Sequence, residues 1–181
     1  MRWAELEEDA PRLAAFAEER LVAPGVLLVA TTRRDGTPRL SAVEPLLLDG
    51  DLWLSMLWRS RKAADLHRDD RCLVHNIVTT RDGSAGEVKV RGRAIDVGDP
   101  EPRRRYRAAV TAAALGWRPE EPWFHLFRVD VDDVTVIRYE PTGDQRVSRW
   151  PARREYLRRS MSATSVGDPE PAAHFFGADR D

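Results

Sequence analysis

Three consecutive residues, Ser60-Arg61-Lys62, have the types and spacing that could hold an anion. They follow an apolar stretch, Leu52 to Leu57, and open a segment, Ser60 to Arg68, whose alanines and Leu66 read as a short helix with serine at its N-cap. A helix start offers backbone N–H groups without intrahelical partners and the positive end of the dipole. A hydroxyl, a guanidinium and an ammonium there make a phosphate cradle. The plainer reading is a capping serine followed by a solvated, charged first turn. Two cations at a helix N-terminus oppose the dipole by about a few tenths of a kcal/mol each, which an anion would reverse.

Other residues that could do chemistry form no complete set. Cys72 and His75 have a ligand-like spacing, but strand alternation puts them on opposite faces and no second cysteine exists to complete a zinc site. Gly83-Ser84-Ala85-Gly86 lacks the lysine and the strand-to-helix setting of a phosphate loop and reads as a turn. His67 stands beside Arg68-Asp69-Asp70 without other kinase-like elements, and no histidine is visibly paired with a base. The sequence therefore nominates no metal ligand and no catalytic side chain.

The elements that would position Ser60 to Lys62 are mostly strands. Helical spacing of Trp3, Leu6, Ala10, Leu13 and Ala17 predicts one or two short helices, with a start or break at Asp9 and Pro11. Val26 to Thr32 and Arg39 to Leu48, parted by Asp35-Gly36-Thr37-Pro38, read as a hairpin, and a turn at Asp49-Gly50-Asp51 leads to the strand Leu52 to Leu57. Cys72 to Val78 is a fourth strand. In Glu87 to Asp96, Val88, Val90 and Ala94 alternate with Glu87, Lys89, Arg91 and Arg93, the pattern of a half-exposed antiparallel strand. Asp99-Pro100 starts a helix that Gly116 should end, and Trp123 to Val131 with Val134 to Tyr139 completes the strands. Short turns between strands exclude parallel pairing, so the class is mainly β (α+β), antiparallel and barrel-like with peripheral helices.

Composition narrows the function classes. Lys+Arg 29 against Asp+Glu 30 gives a net charge of −1, too balanced for a nucleic-acid or anionic-membrane field. Apolar runs such as Gly25 to Ala30 are too short for a membrane span, the acidic start does not resemble a secretory signal, and the single Cys72 cannot form an internal disulfide. A cytoplasmic location is expected. Residues 1–24 read as a helical segment, 25–140 as the barrel domain, and 141–181 as an extension that is mobile from about residue 160. Arginines at 146, 149, 153, 154, 158 and 159 read as an exposed helical face or as a clamp for an anionic cofactor tail.

The order of these pieces resembles the pyridoxamine 5'-phosphate oxidase-like superfamily: Asp35-Gly36-Thr37-Pro38-Arg39 to Leu48, Leu52-Trp53-Leu54-Ser55, Ser60-Arg61-Lys62, Leu66, Asp70-Arg71, Cys72 to Val78 and Arg91-Gly92-Arg93-Ala94. The likeness runs from about Gly25 to Ile137. It implies a six-stranded split barrel that forms a homodimer, with a flavin at the interface between subunits. By position, Ser60, Arg61 and Lys62 would hold the cofactor phosphate, Ser55 and Met56 would touch phosphate or ring, and Val43 and Glu44 would border the ring. Without the resemblance, Val43 and Met56 read as core. Glu87 stands where true oxidases carry a glutamine, and Trp150-Pro151-Ala152-Arg153-Arg154 only distantly echoes their C-terminal tryptophan-to-arginine segment, so vitamin B6 oxidation is not expected. The implied activity is hydride transfer between FMN, or the deazaflavin F420, and a small organic substrate. The alternative is a non-catalytic flavin or haem carrier on the same barrel.

Overall fold

The computed structural model describes residues 1–113 and 118–176. Two helices open the chain, α1 (Trp3–Asp9) and α2 (Pro11–Leu21), with Ala10 closing one and opening the other. Pro11 stands at the first turn of α2, where its missing N–H leaves no bond unmade. The apolar spacing read from the sequence becomes one buried stripe, Trp3, Leu6, Leu13, Ala17 and Leu21.

Strands β1 (Leu27–Thr32) and β2 (Pro38–Val43) form the expected hairpin, pairing from Leu27↔Val43 to Thr32↔Pro38. Its turn is fixed by Asp35, whose Oδ1 accepts from the Thr37 amide at 3.0 Å and the Thr37 hydroxyl at 2.6 Å. Next come β3 (Pro45–Leu48), β4 (Asp51–Leu57), α3 (Arg61–Arg68), β5 (Arg71–His75) and β6 (Glu87–Asp96). Helix α4 (Pro100–Ala112) is capped by Asp99, which accepts from the Glu101 amide; its expected end at Gly116 lies outside the described residues.

The predicted pair of strands after α4 is one long strand, β7 (Phe124–Tyr139). It pairs with β6 along most of its length, with β4 over Phe124 to Val129, and with β8 (Gln145–Trp150) over Val134 to Tyr139. One strand thus holds two neighbours on the same edge, so the sheet bends around a shared core. All pairings among the described residues are antiparallel, and the main sheet runs β8-β7-β6-β5-β1-β2, with β4 joining β7 and β3 joining β4. Strands β2 and β4 are not hydrogen-bonded to each other, which leaves the split in the barrel. Val43, Leu54, Met56, Val74, Val90 and Val136 meet inside.

The extension also differs from its sequence reading. The arginine-rich segment forms no helix but a hairpin of β8 and β9 (Arg154–Arg158), followed by the short strands β10 (Ser160–Ser162), β11 (Ser165–Val166) and β12 (Glu170–Pro171). Its organiser is Glu155, a buried carboxylate that accepts from Arg138, Arg146, the Ser148 hydroxyl at 2.6 Å and the Phe176 amide at 2.9 Å. Arg149 pairs with Asp133, Arg153 with Asp9 and Arg159 with Asp144. Charges that look like a free patch in sequence are mostly neutralised across the sheet. No helix among the described residues is long and apolar enough to cross a membrane.

Candidate functional site

Helix α3 sits over the split. Ser60 caps it, its Oγ accepting from the Ala63 amide at 3.4 Å, which leaves the Arg61 and Lys62 amides without acceptors among the described residues. Arg59, immediately before, is left-handed at φ 59°, a conformation that turns the chain sharply from β4 into the helix. The Lys62 ammonium reaches the open edge of β2 and donates to the Ala42 carbonyl at 2.8 Å. Burial pulls its pKa below the ordinary lysine value, and the nearby Glu44 carboxylate partly opposes that. Arg61 turns the other way, into an open cleft of about 510 Å³ between α3 and the β1–β2 turn.

Beneath that cleft lies Asp65, a residue the sequence did not nominate. Its Oδ2 accepts from Arg39 Nε at 2.6 Å and Thr31 Oγ1 at 3.1 Å, and its Oδ1 from both Arg68 terminal nitrogens at 3.3 Å. Burial alone would raise its pKa, but the bonds from Arg39 and Thr31 outweigh it and hold the carboxyl below the usual range. Asp65 therefore stays ionised and fixes two arginines against the base of the helix.

The site residues read from the sequence separate into two groups. Ser60, Arg61, Lys62 and Glu44 gather at the mouth of the split. Val43 and Met56 point into the barrel, 1% and 2% exposed, as strand alternation puts them. Ser55, on the other face of β4, accepts from the Tyr106 hydroxyl at 2.8 Å instead of facing Ser60, and burial pushes that phenol up to about 12. Glu87 is bound to Lys89 at 2.8 Å and to the Tyr139 hydroxyl at 3.3 Å; the Lys89 bond is the main reason its carboxyl lies below the ordinary range. Trp150 is core, its indole N–H donating to Asp9 at 2.8 Å. None of these last three makes a bond to the cradle.

Residues 13–139 match the family described as Pyridoxamine 5'-phosphate oxidase. The chain belongs to that family. No curated protein matches the sequence. Among solved structures, the fold is similar to a heme binding protein from Mycobacterium smegmatis, at 22% identity and a TM-score of 0.56, covering 75% of this chain and 57% of that one. It also resembles a NimC/NimA family protein from Clostridium acetobutylicum, at 13% identity and a TM-score of 0.59, covering 78% of this chain and 92% of that one. A third likeness is PhzG from Burkholderia lata in complex with tetrahydrophenazine-1-carboxylic acid, at 14% identity and a TM-score of 0.51, covering 82% of each chain.

This member of the pyridoxamine 5'-phosphate oxidase family also carries a histidine pair that the sequence conceals. His67 Nε2 lies 3.1 Å from His125 Nδ1, and His67 Nδ1 lies 3.9 Å from Asp96 Oδ2, which corrects the expectation that no histidine is paired. The Arg59 amide donates to His125 Nε2 at 3.3 Å, so the partners assign the proton of neutral His125 to Nδ1 and that of His67 to its Nδ1. Trp58 stacks on His125 at 4.8 Å, and burial, with His67 next, lowers the His125 pKa. This chain of bonds tethers the Arg59 turn that sets Ser60 in place. Cys72, by contrast, is inert: burial pushes its thiol up to about 12, and no metal-binding group of side chains occurs among the described residues.

Proposed function

We propose that this protein binds FMN through its phosphate at Ser60, Arg61 and Lys62 and transfers a hydride between the flavin ring and a small organic substrate. The observation that carries the reading is the pair of adjacent cations at the α3 N-terminus beside two amides with no acceptor among the described residues. That donor set suits a dianionic phosphate: two consecutive residues bring a point charge, a planar fork and two N–H groups to one helix start. A bound flavin supplies the redox-active ring. The protein's part is position and charge. Lys62 and Arg61 neutralise the phosphate, Asp65 braces Arg39 and Arg68 beside it, and the His67–His125 pair holds the turn at Arg59. The similarity to PhzG, seen in complex with tetrahydrophenazine-1-carboxylic acid, supports a small organic substrate. F420 belongs to the same reaction class and uses the same cradle. Each nitrogen of the His67–His125 pair faces a neighbour, so this pair offers haem no free axial ligand.

In a titration of the full chain with FMN, Lys62→Ala should weaken binding by about 1.5–3 kcal/mol, on the order of 10- to 150-fold, the scale of a charged hydrogen bond. Unchanged affinity would remove the assignment. A homodimer in the cytosol is part of the same proposal. Outward residues of β2 and β5, Leu40 and Leu73, flank Ala30 of β1 in one row and are 63% and 38% exposed, an apolar stripe that a second copy would cover. Light scattering at micromolar concentration should give twice the chain mass of 20.6 kDa, and Leu40→Glu should shift it toward monomer. A monomer in the wild type would sink the idea.

A further inference from the structure

The cleft between the β1–β2 turn and α3 carries more positive charge than one phosphate needs. Five arginines line it, Arg33, Arg34, Arg39, Arg61 and Arg68, against the carboxylates Asp35 and Asp65. Both acids are already committed: Asp65 to Arg39 and Arg68, and Asp35 to Thr37 within its own turn. Arg33, Arg34 and Arg61 remain, and their side chains have neither an ion pair nor a hydrogen bond among the described residues; Asp35 acts on Arg33 only through space. Many guanidinium groups elsewhere are paired, as at Arg2 with Asp51, Arg103 with Glu121 and Arg138 with Glu155. With 30 acids against 29 cations there is no shortage of partners. Three unpaired arginines facing one cleft repel each other unless an anion joins them.

We propose that this cleft is a second anion subsite, taking a ligand whose acidic groups extend beyond the one held at Lys62. Arg61 belongs to both places, since it follows Ser60 in the cradle and lines the cleft. The guanidinium forks of Arg33 and Arg34 suit paired oxygens, so the ligand class is a polyphosphate, a phosphodiester or a polycarboxylate chain. The inference rests on the cofactor reading for the first phosphate only; the turn arginines stand on their own geometry.

The test uses the full chain without flavin and inorganic tripolyphosphate as probe, followed by calorimetry at low salt. Tripolyphosphate should bind at least tenfold more tightly than inorganic phosphate, and the double variant Arg33→Ala/Arg34→Ala should lose about tenfold or more of that affinity. Removing two arginines elsewhere that have neither an ion pair nor a hydrogen bond among the described residues, Arg81→Ala/Arg154→Ala, takes away the same net charge and should change it less than twofold. Equal losses in the two double variants, or no preference for tripolyphosphate over phosphate, overturn the subsite. A parallel FMN titration keeps the two readings apart: Arg33→Ala/Arg34→Ala should leave FMN affinity within about twofold, since its phosphate is held at Arg61 and Lys62. If FMN fails to bind the wild type while tripolyphosphate binds through Arg33 and Arg34, the flavin reading falls and the subsite stands.

Discussion

Asp65→Ala should destabilise the fold by about 3–5 kcal/mol, the scale for removing one partner of a buried charge cluster. The carboxylate side chain is 6% exposed and gathers Arg39, Arg68 and Thr31 from three separate elements. Without it, the partly buried Arg39 keeps its charge and loses its acceptor, and the Thr31 hydroxyl is left inside with none. Asp65→Asn keeps the volume and one carbonyl oxygen and should lose less. The pH dependence follows in sign. The folded carboxyl titrates below its ordinary value of 3.8, so its contribution is complete above that value and disappears as pH falls through the lower, folded one. Urea melts of the wild type between pH 5 and pH 2, chosen to bracket the ordinary carboxylate range of about 4, should show an acid limb that is shallower in Asp65→Asn. Equal limbs, or an alanine variant within about 1 kcal/mol of wild type, would mean that Asp65 does not organise this corner.

Why Asp65 escapes a reading of the sequence while Ser60 does not is a matter of reach. Ser60, Arg61 and Lys62 are consecutive, and a capping serine announces a helix start by local hydrogen bonding, so both the element and its chemistry lie within a few residues. Asp65 acquires its meaning from Thr31 and Arg39, which join it only when the hairpin folds over α3. His67 and His125 are 58 positions apart and meet because β4 pairs with β7. Alternation is legible where a strand has one wet face: Val88, Val90 and Ala94 are buried and Arg91 and Arg93 exposed, as their spacing requires. The same alternation explains why Val43 and Met56 belong to the core while Ser55 turns to Tyr106. The arginines after residue 145 mislead because a charge run has no period of its own; their partners, such as Asp133 on β7, Asp9 at the end of α1 and Asp144 before β8, lie on other elements.

Gly92→Ala should be the most damaging single-methyl change in the barrel, destabilising it by about 3 kcal/mol or more. A Cβ at this position would lie 2.3 Å from the Asp130 carbonyl oxygen, 3.1 Å from its carbon and 3.2 Å from the Val131 Cα. All three are backbone atoms of the facing strand, so no side-chain rotation relieves the contact. Here the register between β6 and β7 shifts, Arg91 facing Asp133 and Gly92 facing Val131, and the extra residue in β7 marks a bulge. That bulge separates the part of β7 that pairs with β4 from the part that pairs with β8, and close approach of the two backbones is what lets one strand serve both. The start of the chain is fastened at the same point, since the Met1 ammonium binds Asp130 Oδ1 at 2.8 Å and the Val131 amide donates to the Met1 carbonyl at 2.8 Å. Gly98→Ala is the control, because a Cβ there meets nothing within 4 Å. For a chain of this length the Gly92 variant should melt on the order of 6–12 °C lower, whereas the Gly98 variant should stay within about 2 °C of the wild type. Similar melting temperatures for the two variants would show that β6 and β7 can part at the bulge without loss, and that the bend in the sheet does not depend on the missing side chain.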